Sequence, residues 1–243
     1  MHSPEIVREA RLLHEQGLGA RRVARRLGLP VSTVRDWNAG KAPRPRAPFD
    51  AGELGASYAY LLGLYLGDGT ISAHPRGVYR LRVSLDRKYP AIVEECAASM
   101  RATLPRSRTH VLLTASNCCV VSAYSKSLPS MFPQHGPGAK HTRPIFLSDW
   151  QRELGETWPN ALIKGLIHSD GCRFASAGRD RGNPRYSFTN RSTDIASIFC
   201  SACDCLGLHW TAAFPASGTE AITIYVSRKI DVAKLDGFVG PKR

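Results

Sequence analysis

The chain has 243 residues, 43% of them hydrophobic, which is enough for a small domain and a larger one with apolar cores. Its 33 Lys and Arg against 20 Asp and Glu leave a net charge of +13, which favours an anionic partner such as nucleic acid. The sequence shows neither an apolar run of membrane-spanning length nor a signal-peptide core, and its seven cysteines fit reduced thiols. We therefore expect a cytoplasmic, nucleoid-associated protein rather than a membrane or secreted one.

The sequence of residues 4 to 40 predicts three short helices. In the first helix, Val7, Leu12 and Leu13 are predicted to form an apolar stripe. The next two helices are predicted to cross at Ala24 and to be joined by a tight turn at Gly28. The rest of this small core is predicted to consist of Val23, Leu27, Leu29, Val34 and Trp37.

The spacing from Ala20 to Trp37 resembles the helix-turn-helix of resolvases and transposase-like regulators. The resemblance implies that residues 1–40 bind DNA with the start of the last helix in the major groove. Its candidate contacts to bases or phosphates are Ser32, Thr33 and Arg35. The neighbouring basic side chains, predicted to lie near the DNA backbone, are Arg21, Arg22, Arg25 and Arg26.

Residues 41–53 are predicted to be a linker, because Pro43, Pro45 and Pro48 cannot continue a helix. The same segment contains the basic residues Lys41, Arg44 and Arg46. The sequence leaves two interpretations open, a basic arm that follows a DNA groove and a plain spacer.

After the linker, one pattern occurs twice. Residues 61–69, LLGLYLGDG, return as residues 163–171, IKGLIHSDG, so that Asp68 and Asp170 are 102 positions apart. Asp86-Arg87 corresponds to Asn190-Arg191 at an offset of 104, and Lys126 corresponds to Lys229 at an offset of 103. Landmarks at a nearly constant offset indicate a duplication, with one half at residues 54–148 and the other at residues 149–243.

Each half is predicted to be α+β, in the order helix, two strands, helix, two strands, helix. In the first half, Leu81 and Val83 alternate with Arg80 and Arg82, so one face of the strand is apolar and the other basic. Residues 186–189 and 222–227 of the second half alternate in the same manner. The polar faces are predicted to form a saddle that faces DNA, with candidate contacts Arg80, Arg82, Arg185, Thr189 and Arg191.

The segments GLYLGDG and GLIHSDG resemble the two signature helices of the LAGLIDADG homing endonucleases, and the resemblance extends over residues 55 to 243. It implies a duplicated αββαββα saddle with pseudo-two-fold symmetry, formed by a monomer. Small residues, which let two helices approach closely, occur four positions apart as Gly63 with Gly67 and Gly165 with Ser169. Gly69 and Gly171 are predicted to be C-terminal helix caps.

Close packing of the two signature helices would bring Asp68 and Asp170 together, and paired carboxylates call for a hard cation such as Mg2+ or Mn2+. The predicted metal site consists of Asp68, Asp170, Gly67 and Ser169. By resemblance, Lys126 and Lys229 are predicted to join the two acids in catalysis by stabilising charge. The competing interpretation is that each Asp-Gly only ends a helix and that both lysines are solvated.

Other metal-binding residue types have weaker support. Cys200, Cys203 and Cys205 could suggest zinc, but cysteines on a predicted helix are more often small core residues. His168, within the second motif, is predicted to be packed or solvent-facing rather than catalytic. His135 and His141 are given no role, because residues 133–144 are predicted to join the two halves.

Three functions compete. The first is a Mg2+-dependent DNA endonuclease, and the second is a regulator that uses both modules only to bind double-stranded DNA. The WhiA regulators join the same two kinds of module in the reverse order and tend to lose the acids, whereas this chain keeps both. The third function, RNA binding, finds no aromatic stacking platform in the sequence.

Overall fold

The computed structural model describes residues 4–41, 50–114, 117–175, 182–214 and 221–240. Contacts divide the chain into two units, Met1–Pro48 and Phe49–Arg243, and the division falls within the predicted linker of residues 41–53. Residues 42–49 of that linker, with Arg44 and Arg46, lie outside the described residues. No helix within the described ranges is long and apolar enough to cross a membrane.

The first unit contains three helices, α1 (Pro4–Glu15), α2 (Ala20–Leu27) and α3 (Val31–Asn38). Gly28 follows α2 with a φ of 64°, a left-handed conformation that glycine adopts without strain. The prediction for Leu12 is wrong, because this side chain is 50% exposed while Val7, Ala10 and Leu13 are buried. Helical spacing of about 100° per residue places Leu12 and Leu13 in different directions, so only one of them can face α2 and α3.

The first half of the second unit has the predicted order of elements. Its elements are α4 (Ala56–Asp68), β1 (Gly69–His74), β2 (Val78–Asp86), α5 (Pro90–Thr103), β3 (Thr109–Leu113), β4 (Cys118–Ser125) and α6 (Leu128–Met131). The strands form an antiparallel sheet in the order β1-β2-β4-β3.

The second half repeats this order and adds a helix before it. Its elements are α7 (Asp149–Thr157), α8 (Pro159–Asp170), β5 (Gly171–Ala175), β6 (Pro184–Asn190), α9 (Thr193–Cys205), β7 (Trp210–Ala213), β8 (Ile222–Val226) and α10 (Lys229–Asp236). The second sheet has the matching order β5-β6-β8-β7. The predicted α+β duplication is confirmed. Pro159 begins α8 and separates it from α7, because a proline disfavours helical geometry in the residue before it.

The strand registers of the two sheets correspond row by row. One row of the first sheet consists of Gly69, Val83, Val121 and Val111. The equivalent row of the second sheet consists of Gly171, Phe188, Ile224 and Ala212. This correspondence makes Leu85 the counterpart of Asn190, so the predicted pairing of Asp86 with Asn190 is wrong by one residue. The error matters because a shift of one residue moves a side chain to the opposite face of the sheet.

Helices α4 and α8 pack against each other through glycine. A Cβ atom on Gly63 would lie 2.5 Å from the carbonyl oxygen of Leu162, and one on Gly165 would lie 3.0 Å from the Cα atom of Gly63. Side chains are therefore excluded where the two helices cross, and the predicted close approach at these glycines is confirmed.

Gly69 and Gly171 cap the C-terminal ends of α4 and α8, as predicted, and their backbone N–H groups donate to the Tyr65 and Ile167 carbonyls. Their φ values of −85° and −100° are ordinary extended backbone. The glycines are needed for space, since a Cβ atom on Gly171 would lie 2.5 Å from the Cα atom of Ile167. Each strand thus starts directly against the last turn of the helix that precedes it, which holds the acid at the helix end close to the sheet.

Candidate functional site

The first sheet has a buried face toward the helices and a polar face on the other side. Leu81 and Val83 are fully buried on the inner face. Arg80 and Arg82 lie on the polar face, as predicted, and Arg80 donates to the Ser122 hydroxyl over 3.2 Å. The Cζ atom of Arg80 also lies 5.4 Å from the centre of the Tyr124 ring. This face therefore combines fixed positive charge with an aromatic ring.

Among the described residues, the polar face of the second sheet carries fewer arginines than that of the first. Arg185 and Thr189 are on it, and the Thr189 and Thr223 hydroxyls are 3.0 Å apart. Phe174 and Tyr225 meet edge to face with ring centres 6.4 Å apart. Alternation along the strands thus places two rings that are far apart in sequence on the same sheet face, on either side of β6.

Asp68 and Asp170, which we call the acid pair, are the last residues of α4 and α8. A Cβ atom on Gly67 would lie 2.8 Å from Oδ2 of Asp170, so the Asp170 carboxylate lies against the end of α4. The same Oδ2 accepts a hydrogen bond of 2.7 Å from Nδ2 of Asn190. Asn190 is in turn oriented by the backbone N–H of Ser192, which donates to its Oδ1 over 2.7 Å.

A lysine that the sequence did not indicate lies at this position. Lys140 belongs to a short 3-10 helix (Lys140–Thr142) in the connection between the halves. Its Nζ donates to the carbonyl oxygens of Gly69 and Gly67, over 2.6 and 3.2 Å. Burial lowers the pKa of the Lys140 ammonium to about 8, and the nearby Asp170 and Asp68 carboxylates act in the opposite direction.

A pocket of about 340 Å³ opens beside the acid pair. Gly67, Asp170, Thr189 and Arg191, all predicted site residues, line it. The polar residues of its lining that are absent from the predicted site are Lys140, His141 and Asn190. It thus brings an acid and several cationic or hydrogen-bonding groups around a space that reaches solvent.

The remaining residue predicted for the metal site is Ser169. Its hydroxyl donates to the Leu166 and Gly165 carbonyls of its own helix, over 2.9 and 3.2 Å. A Cβ atom on Gly67 would also lie 2.5 Å from the Cβ atom of Ser169. Ser169 therefore lies at the contact between the two helix ends, as its small size predicted.

The structure does not bring Lys126 or Lys229 to the acid pair. Gly69, which follows Asp68, lies in the same row of the first sheet as Val121 of β4. Lys126 instead follows Ser125, the last residue of β4. The four positions from Val121 to Ser125 span about 13 Å along a strand. Lys229 lies beyond the end of β8 in the same manner, and neither lysine is among the described residues that line the pocket.

His168 is packed inside the helix interface and is 6% exposed, in agreement with its predicted role. Its Nδ1 lies 2.8 Å from the Tyr60 hydroxyl of the facing helix, and its Nε2 lies 3.1 Å from the Val239 carbonyl oxygen. The imidazole therefore joins the two halves through polar contacts within the core, where unsatisfied polar groups would destabilise the fold.

The three cysteines of α9 do not share one environment. Cys203 is fully buried, Cys200 is half-buried and Cys205 is exposed. Within the described ranges, no group of three or more His, Cys, Asp or Glu side chains is arranged to hold a metal ion. A metal site at the acid pair therefore needs backbone oxygens or a bound ligand to complete it.

In the first unit, the predicted DNA contacts lie on the surface. Ser32 and Arg35 are exposed on α3, and Thr33 is half-buried. The four basic side chains of α2 are also exposed, namely Arg21, Arg22, Arg25 and Arg26. The core residues Val34 and Trp37 point to the other side of α3, so its polar side remains available for a partner.

Of the pocket residues absent from the predicted site, Asn190 has a position in the sequence that indicates its role. It alternates with Tyr186 and Phe188, so it occupies an inward position of β6 where a polar side chain needs a buried partner. Lys140 has no such indication, because no periodicity relates a residue in a Gly- and Pro-rich connection to a helix end about 70 positions earlier.

No protein-family model matches the chain, and no curated protein matches it. Solved structures do match. One describing mesophilic variants of the homing endonuclease I-DmoI aligns with a TM-score of 0.52 at 15% identity, over 78% of this chain and 97% of that chain. The structure of I-DmoI in complex with DNA and Mn aligns with a TM-score of 0.52 at 16% identity, over 76% and 97%.

A third match is the N-terminal LAGLIDADG domain of DUF199/WhiA, with a TM-score of 0.49 at 14% identity, over 82% of this chain and 88% of that chain. At such low identities, the I-DmoI structures show similarity of fold. The LAGLIDADG fold predicted from the two motifs is confirmed.

Proposed function

We propose that the protein is a sequence-specific DNA-binding protein that hydrolyses phosphodiester bonds as a LAGLIDADG-type endonuclease with Mg2+ or Mn2+. The observation that carries this proposal is the acid pair at the ends of two closely packed helices. The Asp170 carboxylate lies against the end of α4, where an ammonium already binds two backbone carbonyls. This place attracts cations, and it borders an open pocket.

The groups at this place fit a hard divalent cation. Carboxylate and carbonyl oxygens are the ligands that Mg2+ and Mn2+ prefer in proteins. We propose that Asp68 and Asp170 hold the ion, with backbone oxygens of Gly67 and Ser169 beside them. When bound, such an ion neutralises phosphate charge and lowers the pKa of an attacking water. Asn190 holds the Asp170 carboxylate in place, while Thr189 and Arg191 lie in the same pocket and bind the phosphate backbone.

The polar sheet faces are proposed to be the main DNA-binding surface. Arg80 and Arg82 lie side by side on one sheet, with their Nε atoms shielded from solvent and without a hydrogen-bond partner among the described residues. Arg185 and Thr189 occupy the corresponding face of the other sheet. A phosphate can accept from these donors, and the net charge of +13 supports such a partner. The I-DmoI structure solved with DNA and Mn has the same fold, which supports this assignment.

Replacing Arg80 and Arg82 together by Ala should weaken duplex binding and reduce the slope of log affinity against log salt concentration by about 2. Fluorescence anisotropy at several salt concentrations measures both quantities. The matched control is Arg101→Ala with Arg152→Ala, which removes the same charge from exposed helix positions paired with Glu94 and Asp149. Equal losses in the two double variants would show that only net charge matters and that the sheet face is not the binding surface.

We propose that the first unit is a helix-turn-helix that reads DNA separately through Ser32, Thr33 and Arg35. Arg35→Ala should then shorten the protected region at one flank of the target and leave the centre protected. Hydroxyl-radical footprinting compares the variant with the unchanged protein. A uniform loss of protection across the site would contradict the model of two separate readers.

One chain should act per target site, because the duplication supplies both signature helices within a single polypeptide. We therefore propose a monomer with internal pseudo-two-fold symmetry. The partner is double-stranded DNA, which a protein with two reading units contacts over a longer site than either unit alone.

The experiment that tests the proposed function starts from a binding site selected by the unchanged protein from random duplexes. That duplex is then incubated with the protein in Mg2+, in Mn2+ and in EDTA, and both strands are analysed for cleavage. Cleavage that requires the metal supports the endonuclease. An intact duplex with full binding would favour the alternative, a transcriptional regulator that uses the same surfaces only to bind.

A further inference from the structure

We propose that Lys140 is an internal cation of the acid pair. Its ammonium holds the position at the end of α4 that a divalent cation takes, so metal binding must displace or oppose it. This inference rests on the proposed metal site but not on DNA cleavage.

The Lys140 ammonium binds a pair of carbonyl oxygens at the end of α4. They belong to Gly67 and Gly69, the residues on either side of Asp68, at distances of 3.2 and 2.6 Å. The C-terminal end of a helix carries unpaired carbonyls and partial negative charge, both of which favour a cation. An ammonium on the Gly67 oxygen uses a group that we assign to the metal.

The Lys140 ammonium also lies near the two acids and an aromatic ring. Lys140 lines the same pocket as Asp170, and the Asp170 and Asp68 carboxylates both interact electrostatically with its ammonium. Its Nζ also lies 4.9 Å from the centre of the Tyr65 ring, one turn before the end of α4. Carbonyls, carboxylates and an aromatic face are the groups that bind a cation in a protein interior. The ammonium is therefore held from several sides.

Lys140 comes from a part of the chain that is not duplicated. Lys140 lies in the connection between the halves rather than in either repeat, and the Thr142 hydroxyl anchors its turn by donating to the Ala139 carbonyl over 2.8 Å. A single ammonium from outside the repeats thus interacts electrostatically with both acids of the duplicated motif. A plain helix cap needs no carboxylates nearby, whereas here the ammonium reduces the repulsion between two of them.

The consequence is a site that is stable without metal and binds metal less tightly than the acid pair alone would. Without Lys140, two carboxylates at neighbouring helix ends would repel each other, and the protein would depend more on a divalent cation. Repulsion between the Lys140 ammonium and a divalent ion held by the acid pair should weaken metal binding by about tenfold.

Lys140→Met should lower the melting temperature in EDTA by about 5 °C and reach half of its Ca2+-induced stabilisation at about tenfold lower Ca2+ concentration than the unchanged protein. Ca2+ is the probe because melting reports its binding without any cleavage. Lys234→Met is the matched control, since Lys234 also donates to a backbone carbonyl, that of Leu206, away from the acid pair. It should leave the Ca2+ response unchanged.

Two further variants complete the test. Lys140→Arg keeps the charge and should retain a Ca2+ response close to that of the unchanged protein. Asp68→Asn combined with Lys140→Met should lose most of the gain in Ca2+ affinity. The inference is overturned if Lys140→Met responds to Ca2+ like the unchanged protein, or if Ca2+ stabilises neither. A protein that binds Ca2+ as expected but never nicks DNA would refute the endonuclease proposal and leave the role of Lys140 intact.

Discussion

Asp68→Asn and Asp170→Asn should each reduce strand hydrolysis by about 10³-fold or more, while duplex affinity in Ca2+ or EDTA stays nearly unchanged or improves slightly. The amide keeps the shape of the carboxylate but removes one of the two charges that hold a divalent cation. Without metal, each carboxylate repels phosphate, so its removal does not harm binding. Single-turnover cleavage and anisotropy on the same duplex separate the two effects.

Asp170→Asn should also lower the melting temperature. Asp170 accepts a hydrogen bond from Asn190, and a neutral amide oxygen accepts that bond more weakly than a carboxylate does. Asp149→Asn is the control, because this exposed carboxylate of α7 pairs only with Arg152 among the described residues. Cleavage that survives both acid substitutions would show that the acid pair does not hold the catalytic metal.

Gly165→Ala should lower the free energy of unfolding of the second unit by about 3 kcal/mol. The added methyl group would lie 3.0 Å from the Cα atom of Gly63 and 3.0 Å from the backbone nitrogen of Leu64, and backbone cannot move away as a flexible side chain can. The helices would separate, and with them the two acids. Cleavage should therefore fall in protein that is still folded.

Urea unfolding followed by circular dichroism measures this loss. Gly55→Ala is the matched control, because a Cβ atom there meets nothing within 4 Å and the φ of −136° suits any residue. Equal stability of the two variants would show that the helix crossing tolerates a side chain and that close approach is not what positions the acid pair.

Local sequence patterns predicted most of the fold. Alternation at Leu81 and Val83 against Arg80 and Arg82 predicted which side of the sheet is buried, because successive side chains of a strand point to opposite faces. Small residues four positions apart predicted the helix interface, because they share one helix face. The repeat of these patterns then predicted two similar halves and an acid at the end of each signature helix. Each of these features is visible in short segments of the sequence or in the repetition of such segments.

The failures came from contacts between distant segments. Alternation of apolar and polar residues predicts which face of the sheet a side chain lies on, but not the register between strands. The counterpart of Asn190 is therefore Leu85 rather than Asp86. Lys126 and Lys229 matched in sequence, yet strand pairing places them at sheet ends away from the acid pair.

The sequence by itself determined the duplication, the basic polar faces and the two acids, because helical and strand periods are set by the backbone and are visible in any window of residues. Only the tertiary structure decided what surrounds the acids. Lys140 reaches Gly67 and Gly69 from a connection without periodicity, and Asn190 reaches Asp170 from the end of β6. Such contacts depend on how the connection and the sheet pack around the helix pair, and packing is a property of the whole fold rather than of a segment.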